Sequence, residues 1–190
     1  MTVESEACVW SSAVLEEIWQ KNAAARRALC DEVRGLSEVQ VGFQPAPGRW
    51  SIGEILDHVC LAERSITRTL SRILQQAAGR GQIGEPGMME MPEHRIDLEN
   101  YNRSAGAPES VLPSPDRPLA RLLAGLEESR LRLQEVTRRA DGRVVGSVTL
   151  PHFQLGELNF YQWLTAEGAH EAKHLEQIRR IKADPKFPKA

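Results

Sequence analysis

Residues 50–74, WSIGEILDHVCLAERSITRTLSRIL, decide the fold class. Ser51 and Glu54 make the pattern S-x-x-E, in which each side chain satisfies the other residue's orphan backbone N–H at a helix start. Ile52, Ile55, Val59, Ala62, Ile66, Leu70 and Ile73 then recur at steps of three and four, the spacing of an amphipathic helix. Gly79 and Gly81 end it. Within this helix, on the surface shared by Ser51, Ile55 and Ala62, stands His58.

Three further segments carry the same period. Val14, Leu15, Ile18, Ala25 and Leu29 predict a helix from Ser11 or Ser12 to Val33, with Gly35 at its end. Leu119, Leu122, Leu123, Leu126, Leu131, Leu133 and Val136 predict another, starting near Asp116 or Arg117 with Pro118 in its first turn and stopping at Asp141-Gly142. A last helix is expected to begin around Gln154–Glu157 and to reach Ile181, ahead of Pro185 and Pro188. The connector VGFQPAPGRW excludes regular helix, and VVGSVTL allows only a small extended excursion. The stretch from about 80 to 115 is long for a connection within a compact domain, so it is expected to hold a short helix around His94–Asn102 or to form a lid or crossover. Four amphipathic helices with two longer connections predict an all-α fold, a four-helix bundle, over one domain of 190 residues.

With 24 Lys+Arg against 26 Asp+Glu, the chain lacks the basic stripe expected of a nucleic-acid or anionic-membrane binder. Cys8, Cys30 and Cys60 have no CxxC spacing, which argues for a reducing compartment rather than a disulfide scaffold. No signal peptide and no apolar run of membrane-spanning length are present, so a soluble cytoplasmic protein is expected. Phosphate-loop, dinucleotide and Gly-x-Ser-x-Gly patterns are missing too.

Chemistry concentrates in three of the five histidines. His170 and His174 lie four residues apart, so they share a helix face, and a bundle could bring His58 to them. Ionisable rings on inward faces are costly unless paired, and a divalent ion pairs all three while leaving a position for water or substrate. The stretch HEAKH also satisfies H-E-x-x-H, which keeps a hydrolytic site with Glu171 as base in view. Against both stands the plainer reading of hydrogen-bonded core histidines. His94 and His152 read as surface or capping residues.

The run from Trp50 to His58, followed by LPHFQLGELNFYQWLTAEGAHEAKHLEQI, resembles the DinB-like superfamily, also described as YfiT-like metalloenzymes. The likeness covers Trp10 to Ile181, and its specific parts are W-S-x-x-E-x-x-x-H and the terminal H-x-x-x-H-x-x-Q. It implies an up-down-down-up bundle holding one zinc- or nickel-type divalent ion on His58, His170 and His174. Glu171, one position round the helix from His170, is expected to point away from the metal face, as a solvent-facing or ion-paired residue. Members with assigned activity are mostly S-transferases that use a low-molecular-weight thiol, or related isomerases.

Such a transferase would act on a small-molecule electrophile, with the thiol as cosubstrate. Glu54, Glu167 and Gln177 are candidates to accept from the ligands' second nitrogens, and Glu54 competes as the capping residue. Glu167 is the candidate fourth ligand or catalytic proton acceptor. Trp50 and Phe153 are candidate pocket walls, with core packing as the alternative. Cys60 reads as a buried inert thiol. A metal-binding stress-response protein without turnover, and a metal-dependent hydrolase or isomerase, are the competing functions. Exposed helix faces are compatible with a homodimer.

Overall fold

The computed structural model describes residues 10–97 and 106–189. Helix α1 (Ala13–Val33) starts at Ser12, whose hydroxyl accepts from Leu15 N. A single turn, α2 (Glu38–Val41), interrupts the connector ahead of α3 (Ile52–Gly79). The capping box of α3 forms in both directions: Ser51 N donates to Glu54 Oε2 at 2.8 Å, and Glu54 N donates to Ser51 Oγ at 3.2 Å. Helix α4 (Leu119–Arg138) begins two or three residues later than the sequence suggests. Asp116 takes a left-handed backbone with φ of 59°, which no helix tolerates. Helix α5 (Phe160–Lys182) completes the set.

Extended excursions are larger than expected. Strand β1 (Ile83–Gly84) pairs antiparallel with β2 (Val144–Val145), and β3 (Thr149–His152) pairs antiparallel with β4 (Gly156–Asn159). The second pair corrects the start of the last helix. Residues 154–159 belong to a hairpin, entered through Gly156 at φ of 74°. The helix starts only where Asn159 and Gln162 make their own capping box. In the long connection, residues 94–97 are not helical, and the rest of the short helix expected around 94–102 lies outside the described residues. One 3-10 turn, Glu109–Val111, is present.

Two apolar clusters fix the direction of each helix. The first gathers Leu15, Ile18, Leu70, Ile73, Leu133 and Leu164, among others. The second gathers Leu29, Val33, Ile55, Leu56, Leu122 and Ile178. Thus α1 and α5 run from the first cluster to the second, while α3 and α4 run from the second to the first. The result is an up-down-down-up four-helix bundle, in which the connection between α3 and α4 crosses its full length. None of the described helices is long and apolar enough to cross a membrane.

Between the clusters lies a buried polar layer to which all four long helices contribute. Arg26 of α1 pairs with Glu63 of α3 at 2.9 Å and with Glu171 of α5. Arg130 of α4 pairs with Glu63 at 2.9 Å, Glu167 at 3.1 Å and Glu171 at 2.9 Å. The Arg130–Glu63 contact through Nε is an ion pair without hydrogen-bond alignment. Helices α1 and α5 approach closely beside this layer. Asn22, 1% exposed, donates to Leu164 O at 2.9 Å, and a Cβ at Gly168 would overlap Asn22 Oδ1.

Candidate metal centre

His58 projects from the first half of α3, and His170 and His174 from consecutive turns of α5. Their ring nitrogens meet: His170 Nε2 is 3.0 Å from His58 Nε2 and 3.0 Å from His174 Nε2. One ring nitrogen from each residue lies within 4.8 Å of the others.

Two tautomers follow from the neighbours. Val111 O lies 2.8 Å from His58 Nδ1, and a carbonyl only accepts, so that nitrogen carries the proton. Gln177 Oε1 lies 3.0 Å from His174 Nδ1 and, as the acceptor end of the amide, has the same effect. Both Nε2 atoms therefore present lone pairs to the shared space. A proton on His170 Nε2 could be donated to one of these two nitrogens only, whereas a cation satisfies all three at once. Nitrogens bound at roughly 2.0–2.1 Å to one ion, at angles between square and tetrahedral, sit about 2.8–3.4 Å apart. The donor set fits one divalent ion.

Burial keeps the rings neutral, as ligands must be. Desolvation pushes His174 down to about 3, with His58 adding to the effect. His170 is held well below its ordinary value by burial and then by its two imidazole neighbours. Burial lowers His58 as well, against the opposing hydrogen bond to Val111.

The centre forms one wall of a pocket of about 450 Å³ between α3 and α5. Trp50 stands beside it, 4.8 Å from the His58 ring and 6.5 Å from the His174 ring, and Phe153 lies on the pocket's hairpin side with 58% of its surface exposed. Trp163 and Ile66 extend the apolar lining. Phe153 and His152 thus reach the pocket from the β3–β4 turn rather than from the start of a helix. His152 Nδ1 accepts from Gln154 N and Leu155 N, both at 3.2 Å, which places its proton on Nε2. Burial lowers its pKa to about 4.

The structure takes Glu167 elsewhere, into the polar layer with Arg130. There burial raises its carboxyl well above the ordinary range, against the pull of Arg130. Glu171 is fully buried and paired with both arginines, so the solvent-facing alternative does not hold and the ion-paired one does. Tied there, Glu171 cannot serve as the water-activating base of an H-E-x-x-H site. Glu63, Glu167 and Glu171 also form a cluster of metal-ligand type, but the two guanidiniums already bridge it. Glu54 is held by its capping box and by Gln44 at 3.0 Å. Cys60 is buried, and burial raises its thiol pKa.

Two contributors escape the sequence reading. A backbone carbonyl, Val111 O, has no residue-type signature. Asp57 has one only in context: 2% exposed, it accepts from Ser114 N at 2.8 Å and pairs with Arg117 at 3.1 Å. It thereby pins the end of the crossover beside His58. Its place immediately before a candidate ligand was the available clue.

Comparison with known proteins bears on the fold and the family. The uncharacterized protein YuaE of Bacillus subtilis (strain 168) is 26% identical over 166 residues, 83% of this chain and 93% of that protein. The crystal structure of TT2238, a four-helix bundle protein, superposes with a TM-score of 0.62 at 24% identity, covering 87% of this chain and 98% of that one, a likeness of fold. The family model of the DinB superfamily matches residues 22–178, a span that holds all three histidines and most of every long helix, and the chain belongs to that superfamily.

Proposed function

We propose that this protein is a metal-dependent S-transferase that joins a low-molecular-weight thiol to a small electrophile. The ion, zinc or nickel, would be held by Nε2 of His58, His170 and His174. When bound, it supplies acidity, so that a thiol presented to it is the reactive anion near neutral pH. Imidazole nitrogen suits both metals. As neutral ligands the three histidines are unavailable as proton acceptors.

The chain's own groups divide the remaining work. Val111 O and Gln177 Oε1 orient two ligands from behind and fix the tautomers that expose Nε2. Trp50, Phe153 and Trp163 give the electrophile an apolar wall and exclude water from the reacting atoms. His152, with its proton on Nε2, is placed to donate a hydrogen bond to negative charge developing on the electrophile or its leaving group. A cytoplasmic location, where such thiols stay reduced, suits this chemistry.

The observation that carries the reading is the convergence of three Nε2 atoms in the wall of an apolar pocket. The test is elemental analysis and a conjugation assay on the same preparations. Alanine at His58 should lower bound metal as far as alanine at His170, and both should abolish conjugate formation across a panel of thiols and electrophiles. A metal-loaded protein that forms no conjugate with any thiol would instead be a metal-binding protein without turnover. Unchanged metal content in either variant would remove the centre itself.

A further inference from the structure

The metal pocket does not end at Trp50. A second cavity, about 750 Å³, continues on its far side, and the two share Arg49, Trp50, Lys173 and Gln177 in their linings. Their chemistry differs. The inner pocket is lined by Trp163, Phe153 and Ile66, and by no carboxylate among the described residues. The outer groove is lined by three cations, Arg49 and Lys173 at its junction with the inner pocket and Arg180 beyond it. Its single described acid, Glu176, is already paired with Arg179 at 2.6 Å. The groove is therefore electropositive, and a bound divalent ion in the neighbouring pocket would deepen that field.

This division assigns the two substrates to two places. An uncharged electrophile suits the aromatic inner pocket. A peptide thiol such as glutathione is extended and carries carboxylates, and its sulfur must reach the histidines while its body leaves past Trp50. We propose that the outer groove is the binding site for the carboxylate-bearing portion of the thiol cosubstrate, held by Arg49, Lys173 and Arg180. This deepens the S-transferase reading and rests on it for the identity of the ligand as a thiol. The site itself is an anion site, whatever turnover the protein has.

The test uses a ligand that cannot react. S-methylglutathione keeps both carboxylates and blocks the sulfur; its diethyl ester removes the charges at nearly constant shape. Calorimetric titration of the metal-loaded full chain should show the acid binding at least about tenfold more tightly than the diester, the effect expected of a charge-assisted contact. Rising salt should weaken it. The double replacement Arg49→Gln with Arg180→Gln should erase that preference while metal content, read by elemental analysis, stays unchanged. Equal binding of acid and diester, no binding of either at millimolar concentration, or a preference that survives the double replacement would overturn the proposal. Failure of the S-transferase reading looks different: no conjugate with any thiol, yet charge-dependent binding lost in the double variant. Conjugation without any charge preference would sink the groove and leave the transferase.

Discussion

At the residue scale, the position of each imidazole proton decides what the site can do. His58 and His174 carry theirs on Nδ1, turned to acceptors outside the centre, and His152 carries its on Nε2 because two backbone amides occupy Nδ1. Those amides would oppose a second proton, and burial holds His152 at about 4 against an ordinary value of 6.5. Between those values the unfolded chain binds a proton that the folded chain refuses, so stability rises with pH across the window. We predict that His152→Asn, in metal-free protein, removes up to about one proton from the pH dependence of unfolding over that range. Urea titrations at several pH values measure it, and an unchanged slope would show that the imidazole is not held neutral. Spacing alone put His170 and His174 together, because four residues on a helix return a side chain to the same face, whereas His58 joined them through the family resemblance. His152 was legible in neither way. Its assignment depends on a tight turn whose amides fold back onto the ring, and no pattern of residue types announces that.

At the scale of elements, the four long helices were readable because an apolar period of three to four ran through each, with cap and stop signals both in place for α3. The boundary of α5 was not, because Gln154 and Glu157 are good helix residues placed ahead of the stronger Asn159–Gln162 cap. The hairpin it displaced brings His152 and Phe153 to the pocket, so the misread boundary is also where a functional wall was missed. The α1–α5 contact is another feature that only pairing of helices reveals. Gly168 lies inside α5, where glycine costs roughly 1 kcal/mol relative to alanine in intrinsic helix propensity. Asn22 occupies the volume that a side chain there would need. Gly168→Ala should therefore destabilise despite its better propensity, by about 1–3 kcal/mol as an overpacked core position. In an Asn22→Ala background the same change should cost far less, since the new methyl enters the vacated space. A double-mutant cycle by urea denaturation tests this, and additive effects would show that the two residues do not meet.

At the scale of the molecule, the polar layer ties all four long helices together at one level, and α5 carries two of its carboxyl groups beside His170 and His174. Each helix contributes only one or two residues to the layer, which in isolation looks like tolerated imperfection. That is why the layer was invisible one helix at a time, although Arg26, Glu63, Arg130, Glu167 and Glu171 were all in plain view. Together they place two guanidiniums against three carboxyl groups, and burial raises the Glu167 carboxyl well above its ordinary range. A buried ion network of this kind adds little net stability over an apolar core, while removing one partner strands the others. Glu167 and Glu171 are interleaved with His170 on α5, so sliding that helix would carry its imidazoles away from His58. Arg130→Met should cost about 3–5 kcal/mol, as expected when a buried charge loses its partner. Replacing all five residues with apolar side chains of similar volume should restore most of that stability, yet weaken zinc binding, because nothing then selects one register of α5 against α3. Urea midpoints and zinc affinities of the two variants separate these roles. A fully apolar layer that kept wild-type zinc affinity would mean that apolar packing alone aligns the histidines, and that the layer has no part in building the centre.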